Sequence, residues 1–164
     1  FQPALPRIPY ELFKRILAFF RYYTEQEHPL EVMIQIYWDS LKKRFLVVVP
    51  YQHVSGVEIR VPEEQPGQLD EERFYYYADI HSHNIMPAFF SEQDNRDELA
   101  TRLYIVVGRL QRPSPEIRAR ISNGGKFMEI PLEDVVEVSP AEFPEYWTAS
   151  VAPSFTANRK GNAL

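Results

Sequence analysis

Two histidines separated by one residue, followed by a serine and an aspartate, form the part of the sequence best suited to chemistry. His81 and His83 stand at the end of a strand-like run, and side chains at i and i+2 of a strand point to the same face. Two imidazoles on one face supply half of a zinc site. Asp94 could supply a third ligand once the chain turns back. The fourth tetrahedral position would then stay open, as it does in catalytic zinc sites.

Neighbouring residues have two interpretations each. Ser91 precedes a helix-like segment and Asp94 follows three residues later, so this pair also fits a helix-capping arrangement. Asp79 lies two residues before His81 on the same strand face, where it would either orient a ligand imidazole or face solvent. The apolar residues 85–90 are either core packing or a wall of the groove beside the metal. The sequence does not indicate which residues bind a substrate.

Hydrophobic periodicity predicts the elements that position these residues. Apolar residues at helical spacing predict a helix from about Tyr10 to Glu25, with Pro9 where a helix can start. A second, charged helix is expected over residues 92–102. Alternating or continuous apolar runs predict seven strands, at residues 31–37, 45–49, 57–61, 74–81, 103–107, 117–121 and 127–130.

Two of these runs carry more detailed expectations. Residues 45–49 are continuously apolar, which is typical of a central strand buried on both faces. The turn Asn123-Gly124-Gly125 predicts that the last two strands form a hairpin. The order helix, strands, helix, strands predicts an α+β (mixed α/β) fold rather than regular βαβ alternation. We expect one central, mostly antiparallel sheet flanked by helices.

Length and composition exclude several classes of function. The chain has 164 residues, and 18 basic against 23 acidic side chains give a net charge of −5. This acidic balance argues against nucleic acid as a partner. The absence of cysteine excludes disulfides, thiol catalysis and cysteine-based metal sites. No apolar run approaches the roughly 18 residues of a membrane span and residues 1–9 contain no signal-peptide core, so we expect a cytoplasmic protein without a membrane partner.

The complete pattern resembles the signature of the JAB/MPN metalloproteases, also called JAMM proteases. That signature is an upstream Glu followed by H-[S/T]-H-x7-S-x2-D, and His81, His83, Ser91 and Asp94 match it at every step. The layout is similar as well: a first helix, a Glu that opens the next strand, a hairpin, the histidine strand, and a helix that carries the Asp. The resemblance covers about residues 9–138 and points to the compact prokaryotic members.

The resemblance implies one domain and a role for each matched residue. The JAB/MPN-like domain would span 9–138, between an extended segment, 1–9, and a tail rich in Pro, Ser and Ala, 139–164. His81, His83 and Asp94 would bind one zinc ion per chain. Glu31 matches the general base that takes a proton from the zinc-activated water. Ser91 would donate a hydrogen bond to the oxyanion of the tetrahedral intermediate.

The sequence departs from the family pattern in three respects. The family usually has glycines in the strand after its Glu, whereas residues 32–36 here are Val-Met-Ile-Gln-Ile. The residue after the second histidine is often Pro in the family and is Asn84 here. The chain also has no room after Asp94 for the long insertion with which some members grip their substrate.

The resemblance implies a zinc-dependent peptidase or isopeptidase. Its substrate would be an amide at or near the C-terminus of a ubiquitin-like protein, cleaved by a zinc-activated water. One alternative is the processing of a small sulfur-carrier-type protein. Another is a non-catalytic MPN-like module that binds other proteins. The sequence gives no indication of the oligomeric state.

Overall fold

The computed structural model describes residues 4–140, 143 and 145–154. The α-helices of this part are α1 (Tyr10–Thr24) and α2 (Glu92–Asp97). Its strands are β1 (Met33–Asp39), β2 (Arg44–Val48), β3 (His53–Val54), β4 (Ile59–Arg60), β5 (Phe74–Ser82), β6 (Arg102–Gly108), β7 (Glu116–Asn123) and β8 (Lys126–Ile130). Two short 3-10 helices follow, Leu132–Asp134 and Glu145–Ser150. Within the described residues, no helix has the length and apolar character needed to cross a membrane.

Six of the strands form one sheet in the order β2-β1-β5-β6-β7-β8, and β3 pairs with β4 in a second small sheet. All neighbours in the large sheet are antiparallel except β5 and β6, which are parallel. The predicted α+β fold with a mostly antiparallel central sheet is therefore confirmed. Because parallel neighbours cannot be joined by a tight turn, the segment between β5 and β6 must cross over the sheet, and it carries α2.

The two faces of the large sheet differ in chemistry, because successive side chains of a strand point to opposite sides. One face packs with α1 in a single buried apolar cluster, which includes Phe13, Ile16, Phe20, Ile34, Ile36, Ala78, Ile80, Ile105 and Val107. The other face is more polar and has one row of paired residues across four strands, Gln35, Asp79, Tyr104 and Arg120. The apolar face stabilises the fold through this cluster, and the polar face carries the residues of the candidate site.

The chain before α1 is part of the folded unit. Ile8 is fully buried, and its backbone pairs with residues 135–137 through hydrogen bonds of 2.8 and 2.9 Å. The predicted end of the domain at residue 138 stays a prediction. Residues 155–164 of the predicted tail lie outside the part of the chain that the structure describes.

Two predicted elements agree closely with the structure. The first helix ends at Thr24, one residue earlier than expected, and Pro9 occupies the position just before its first turn. The hairpin of β7 and β8 turns at Gly124 and Gly125, whose φ angles are 60° and 82°. Such positive φ angles suit glycine, which has no Cβ to clash with the backbone.

Two other predictions are wrong. Residues 45–48 of the predicted run 45–49 lie in an edge strand, β2, and not in a central strand buried on both faces. The reason is that Phe45 and Val47 pack only partly against the core. The predicted helix over 92–102 ends at Asp97, because the chain must leave helical geometry to reach the start of β6.

Gly108 permits close contact between the end of β6 and the loop that follows the histidines. A Cβ built on it would stand 2.3 Å from the carbonyl oxygen of Met86 and 2.4 Å from the amide nitrogen of Ala88. Because both are backbone atoms, the loop would have to move. We expect Gly108→Ala to destabilise the protein by about 1–3 kcal/mol and to lower its melting temperature by several degrees.

Gly56→Ala is the matched control for this variant. Its added Cβ would lie 3.2 Å from the carbonyl oxygen of Pro29, a contact that a small shift relieves. Differential scanning calorimetry of both variants provides the measurement. Equal melting temperatures for Gly108→Ala and wild type would contradict the expectation.

Candidate metal centre

The two histidines meet at the carboxyl end of β5. His81 lies opposite Met33 of β1, and the amide of His83 donates a 2.8 Å hydrogen bond to the carbonyl of Val107. The Nε2 atoms of the two histidines are 3.2 Å apart, and both residues are buried. The structure thus places both imidazoles on one face, with their Nε2 atoms directed at the same point.

Asp94 reaches the histidines from α2, which crosses the polar face of the sheet. Its Oδ1 lies 3.5 Å from His81 Nε2, and its Oδ2 lies 3.9 Å from His83 Nε2. One ligand atom from each of the three residues lies within 4.8 Å of the other two. The three residues proposed as metal ligands from the sequence therefore converge, although Asp94 belongs to a different element.

This group has the dimensions and chemistry of a metal site. Tetrahedral zinc with bonds of about 2.0–2.1 Å places its ligand atoms ~3.3 Å apart. Here the two Nε2 atoms are 3.2 Å apart and Oδ1 of Asp94 lies 3.5 Å from His81 Nε2, whereas the 3.9 Å separation from His83 Nε2 is measured to the other oxygen, Oδ2. Burial lowers the pKa of both His81 and His83, against the charge of Asp94, which raises it. Neutral imidazoles offer the free lone pairs that a metal requires, so the donor set fits an ion such as zinc.

Ser91 holds Asp94 in place through a capping box at the start of α2. The amide nitrogen and Oγ of Ser91 donate to Asp94 Oδ2 at 2.6 and 2.7 Å, and the Asp94 amide donates to Ser91 Oγ at 3.1 Å. The capping interpretation is therefore confirmed. The hydroxyl proton faces Asp94 in this arrangement, so donation to a substrate oxyanion requires rotation of the side chain. That catalytic role stays a prediction.

Glu31 lies in the same cavity as the three ligand residues and is only 5% exposed. Its amide donates to the carbonyl of Ser55 at 2.8 Å. Ser82, between the two histidines, accepts from the amide of Val32 through its Oγ at 3.0 Å and so fixes the Glu31 segment beside β5. Burial, and then the charge of Asp94, raise the pKa of Glu31 to about 7.

Asp79 occupies a different part of the polar face. It accepts hydrogen bonds from the Tyr76 hydroxyl and, at 3.4 Å, from Nη1 of Arg102, and its side chain is 15% exposed. Its hydrogen-bond partners are these two residues, and it lines the cavity that contains the histidines, so both interpretations stay predictions. Within the described chain, the carboxylate within 4.0 Å of His81 Nδ1 belongs to Glu98.

Glu98 is a site residue that the sequence analysis did not single out. It comes four residues after Asp94, and this spacing would have indicated that both lie on one side of a helical turn. Burial raises the pKa of Glu98 to about 7, although its hydrogen bonds from Arg120 oppose the shift. A buried carboxylate beside a ligand histidine therefore accompanies the three predicted ligands.

Asn84 shows why this chain departs from proline after the second histidine. Its φ is 50°, in the left-handed region, whereas the ring of proline fixes φ near −65°. The buried Asn84 amide accepts from Oγ1 of Thr24 and donates to the carbonyl of Gly56, both at 3.3 Å. Asn84 thus ties the loop after the histidines to the end of α1 and to the region of β3 and β4.

A cavity of about 650 Å³ opens over His81, His83 and Asp94. This volume lies within the range of known ligand-binding sites. Its polar centre holds the three ligand residues together with Glu31 and Ser91. Met86 and Phe89 form part of its wall, in agreement with the interpretation of residues 85–90 as a groove wall. Residues 57–61, around β4, line another side.

The fold and the site define a JAB-type domain with a candidate metal centre. A family model described as prokaryotic homologs of the JAB domain matches residues 13–122, well over half of the chain. The protein therefore belongs to this family. A search of curated proteins finds no match.

The convergence of the three ligands predicts about one zinc ion per chain in the wild type. His83→Ala removes one of three ligands, so we expect it to retain much less zinc after reloading and desalting. Elemental mass spectrometry measures the ratio. His28→Ala, at an exposed position outside the group, is the control and should match wild type. Equal zinc in wild type and His83→Ala would contradict the site.

The raised pKa of Glu31 also predicts a pH dependence of stability in the metal-free protein. Folding raises this pKa from 4.5 to about 7, so the folded state binds more protons than the unfolded state. The contribution of Glu31 to stability is therefore present at low pH and is lost as the pH rises through this range. Metal-free Glu31→Gln should gain melting temperature relative to wild type between about pH 5 and pH 8.

Thermal melts with a chelator present measure this difference. Glu63→Gln, at an exposed position, is the control and should follow wild type at each pH. A difference between Glu31→Gln and wild type that stays constant with pH would show that the carboxyl group does not titrate as expected.

Proposed function

We propose that this protein is a zinc-dependent peptidase or isopeptidase. The observation that carries the proposal is the buried carboxylate of Glu31 in the same cavity as the converging ligand atoms of His81, His83 and Asp94. Three protein ligands leave one position of a tetrahedral ion open, which distinguishes catalytic from structural zinc sites. A nearby carboxylate gives such a site a group that can transfer protons.

Different residues of the chain have different roles in the proposed amide hydrolysis. A bound zinc ion would polarise the scissile carbonyl and lower the pKa of a water molecule to about 7. Glu31 takes the proton of the attacking water and returns it to the leaving amine. Burial raises the pKa of Glu31 to about 7 in the metal-free protein, and a carboxyl group in the cavity can accept a proton and give it back.

Ser91 serves the reaction in two ways under this proposal. Its capping hydrogen bonds fix Asp94, at 2.6 and 2.7 Å to Oδ2, so that the carboxylate keeps its orientation towards the histidines. Rotation of its hydroxyl would allow it to donate to the oxyanion of the tetrahedral intermediate. Ser91 also lines the cavity that contains Glu31.

We propose as substrate the C-terminal segment of a ubiquitin-like protein or of a small sulfur-carrier-type protein. The membership in the JAB family supports this class of substrate, and the cavity supports an extended peptide. The polar centre of the cavity is bordered by the apolar side chains of Val57, Ile59, Met86 and Phe89. Such a lining suits an extended peptide that places apolar side chains on these walls and its backbone over the polar centre. A backbone amide of the substrate would then lie over the ligand group.

Glu31→Gln tests the proposed base. The variant should keep about one zinc per chain, because Glu31 is not a ligand, and lose activity by at least ~100-fold, the usual effect of removing a general base. Candidate ubiquitin-like and carrier proteins with C-terminal extensions serve as substrates, and intact mass reports trimming. Glu63→Gln is the control, because Glu63 is an exposed carboxylate that does not line the cavity.

Two outcomes would count against the proposal. Zinc-loaded Glu31→Gln that cleaves as fast as wild type would show that another group is the base. No cleavage of any candidate by zinc-loaded wild type would favour the non-catalytic interaction module.

A further inference from the structure

A buried ion pair stands directly behind one of the ligand histidines. Nε and Nη2 of Arg120 donate to Oε2 of Glu98 at 2.9 and 2.6 Å. Glu98 is 7% exposed and Arg120 is 4% exposed. Because both donors use the same oxygen, Oε1 of Glu98 remains available, and it lies 4.0 Å from Nδ1 of His81. The pair thus presents one carboxylate oxygen to the histidine.

Arg120 is itself held from several sides. It lies on β7, and its guanidinium packs against the rings of Phe90 and Phe127, with its central carbon 3.9 Å from each ring centroid. Its Nη1 donates to Oδ1 of Asn95 at 2.7 Å. A guanidinium with two aromatic neighbours and fixed hydrogen bonds has little freedom to turn. It therefore fixes the carboxylate of Glu98 rather than following it.

The two nitrogens of His81 face different partners. Nε2 points to the group formed with His83 and Asp94, at 3.2 and 3.5 Å, and Nδ1 points to Glu98. A metal-binding histidine is oriented by the acceptor that its other nitrogen finds, because this acceptor decides which nitrogen carries the proton. The 4.0 Å separation is longer than a hydrogen bond, so the ring or the carboxylate has to rotate slightly for Glu98 to accept from Nδ1.

We propose that Glu98 and Arg120 are positioning residues of the metal centre. Arg120 fixes Glu98, and Glu98 accepts the Nδ1 proton of His81, so that His81 presents an unprotonated Nε2 to the metal. The α2 segment would then supply both a ligand, Asp94, and the carboxylate that orients another ligand. This inference rests on the metal centre of the proposed function but not on its hydrolytic activity, so metal affinity tests it without turnover.

Glu98→Gln is the informative variant. Because Arg120 requires an oxygen acceptor, the side-chain amide introduced by this substitution would turn its NH₂ group towards His81 and favour the tautomer with a proton on Nε2. We expect zinc affinity, measured by competition with a chromophoric chelator, to fall about 10–100-fold. One zinc ion per chain should still bind at saturation. Arg120→Lys keeps the charge but loses the two-pronged contact, and it should weaken binding to a smaller extent.

Glu129→Gln provides the matched control. Glu129 also pairs with an arginine of β7, since Nε of Arg118 donates to it at 2.6 Å, but this pair is exposed and neither residue lines the cavity. Its loss should leave zinc affinity unchanged. Circular dichroism of each variant establishes that the fold is retained.

The tautomer of His81 is the second readout, and it requires no variant. Long-range ¹H–¹⁵N correlation spectra of metal-free wild type should show the proton of His81 on Nδ1. A proton on Nε2, or wild-type zinc affinity in folded Glu98→Gln, would overturn the positioning role while leaving the metal centre intact. A wild-type protein that binds no zinc would overturn the metal centre itself, and with it both proposals.

Discussion

The parallel pairing of β5 with β6 is the constraint on which the site depends. Residues 78–82 and 103–107 run side by side in the same direction, so the chain cannot return by a tight turn. It crosses the polar face of the sheet instead, and the crossing brings Asp94 over His81. The candidate metal site, formed by the end of β5 and the short helix α2, therefore follows from the parallel direction of β6 relative to β5.

The loop after the histidines keeps this crossing close to the sheet. Asn84 turns the chain through a left-handed conformation, and the bare backbone of Gly108 lets the loop approach the end of β6. Ser82, between the two histidines, faces the other way and binds the segment that carries Glu31. Asn84 and Gly108 thus determine how closely the loop after the histidines approaches the sheet. Ser82 determines how closely the segment of Glu31 approaches β5.

The ligand residues could be predicted from the sequence because the relevant information is local. Two histidines at i and i+2 must share a face if they lie in a strand, and the spacing to Asp94 belongs to a known signature. The contact between Glu98 and Arg120 could not be predicted, because it depends on the register of β7 within the sheet. The edge position of residues 45–48 was missed because a continuous apolar run also suits a half-buried strand.

The capping box has a consequence for the choice of metal. Two hydrogen bonds from Ser91 engage Oδ2 of Asp94, whereas Oδ1 accepts none from Ser91 and lies 3.5 Å from His81 Nε2, which favours binding of a cation through one oxygen. A calcium ion takes six to eight oxygen ligands and often uses both oxygens of a carboxylate. A site with two imidazole nitrogens and one monodentate oxygen offers too few hard donors for it. If the metal centre binds an ion as proposed, the capping box at the first turn of α2 would therefore disfavour cations that need both oxygens of a carboxylate.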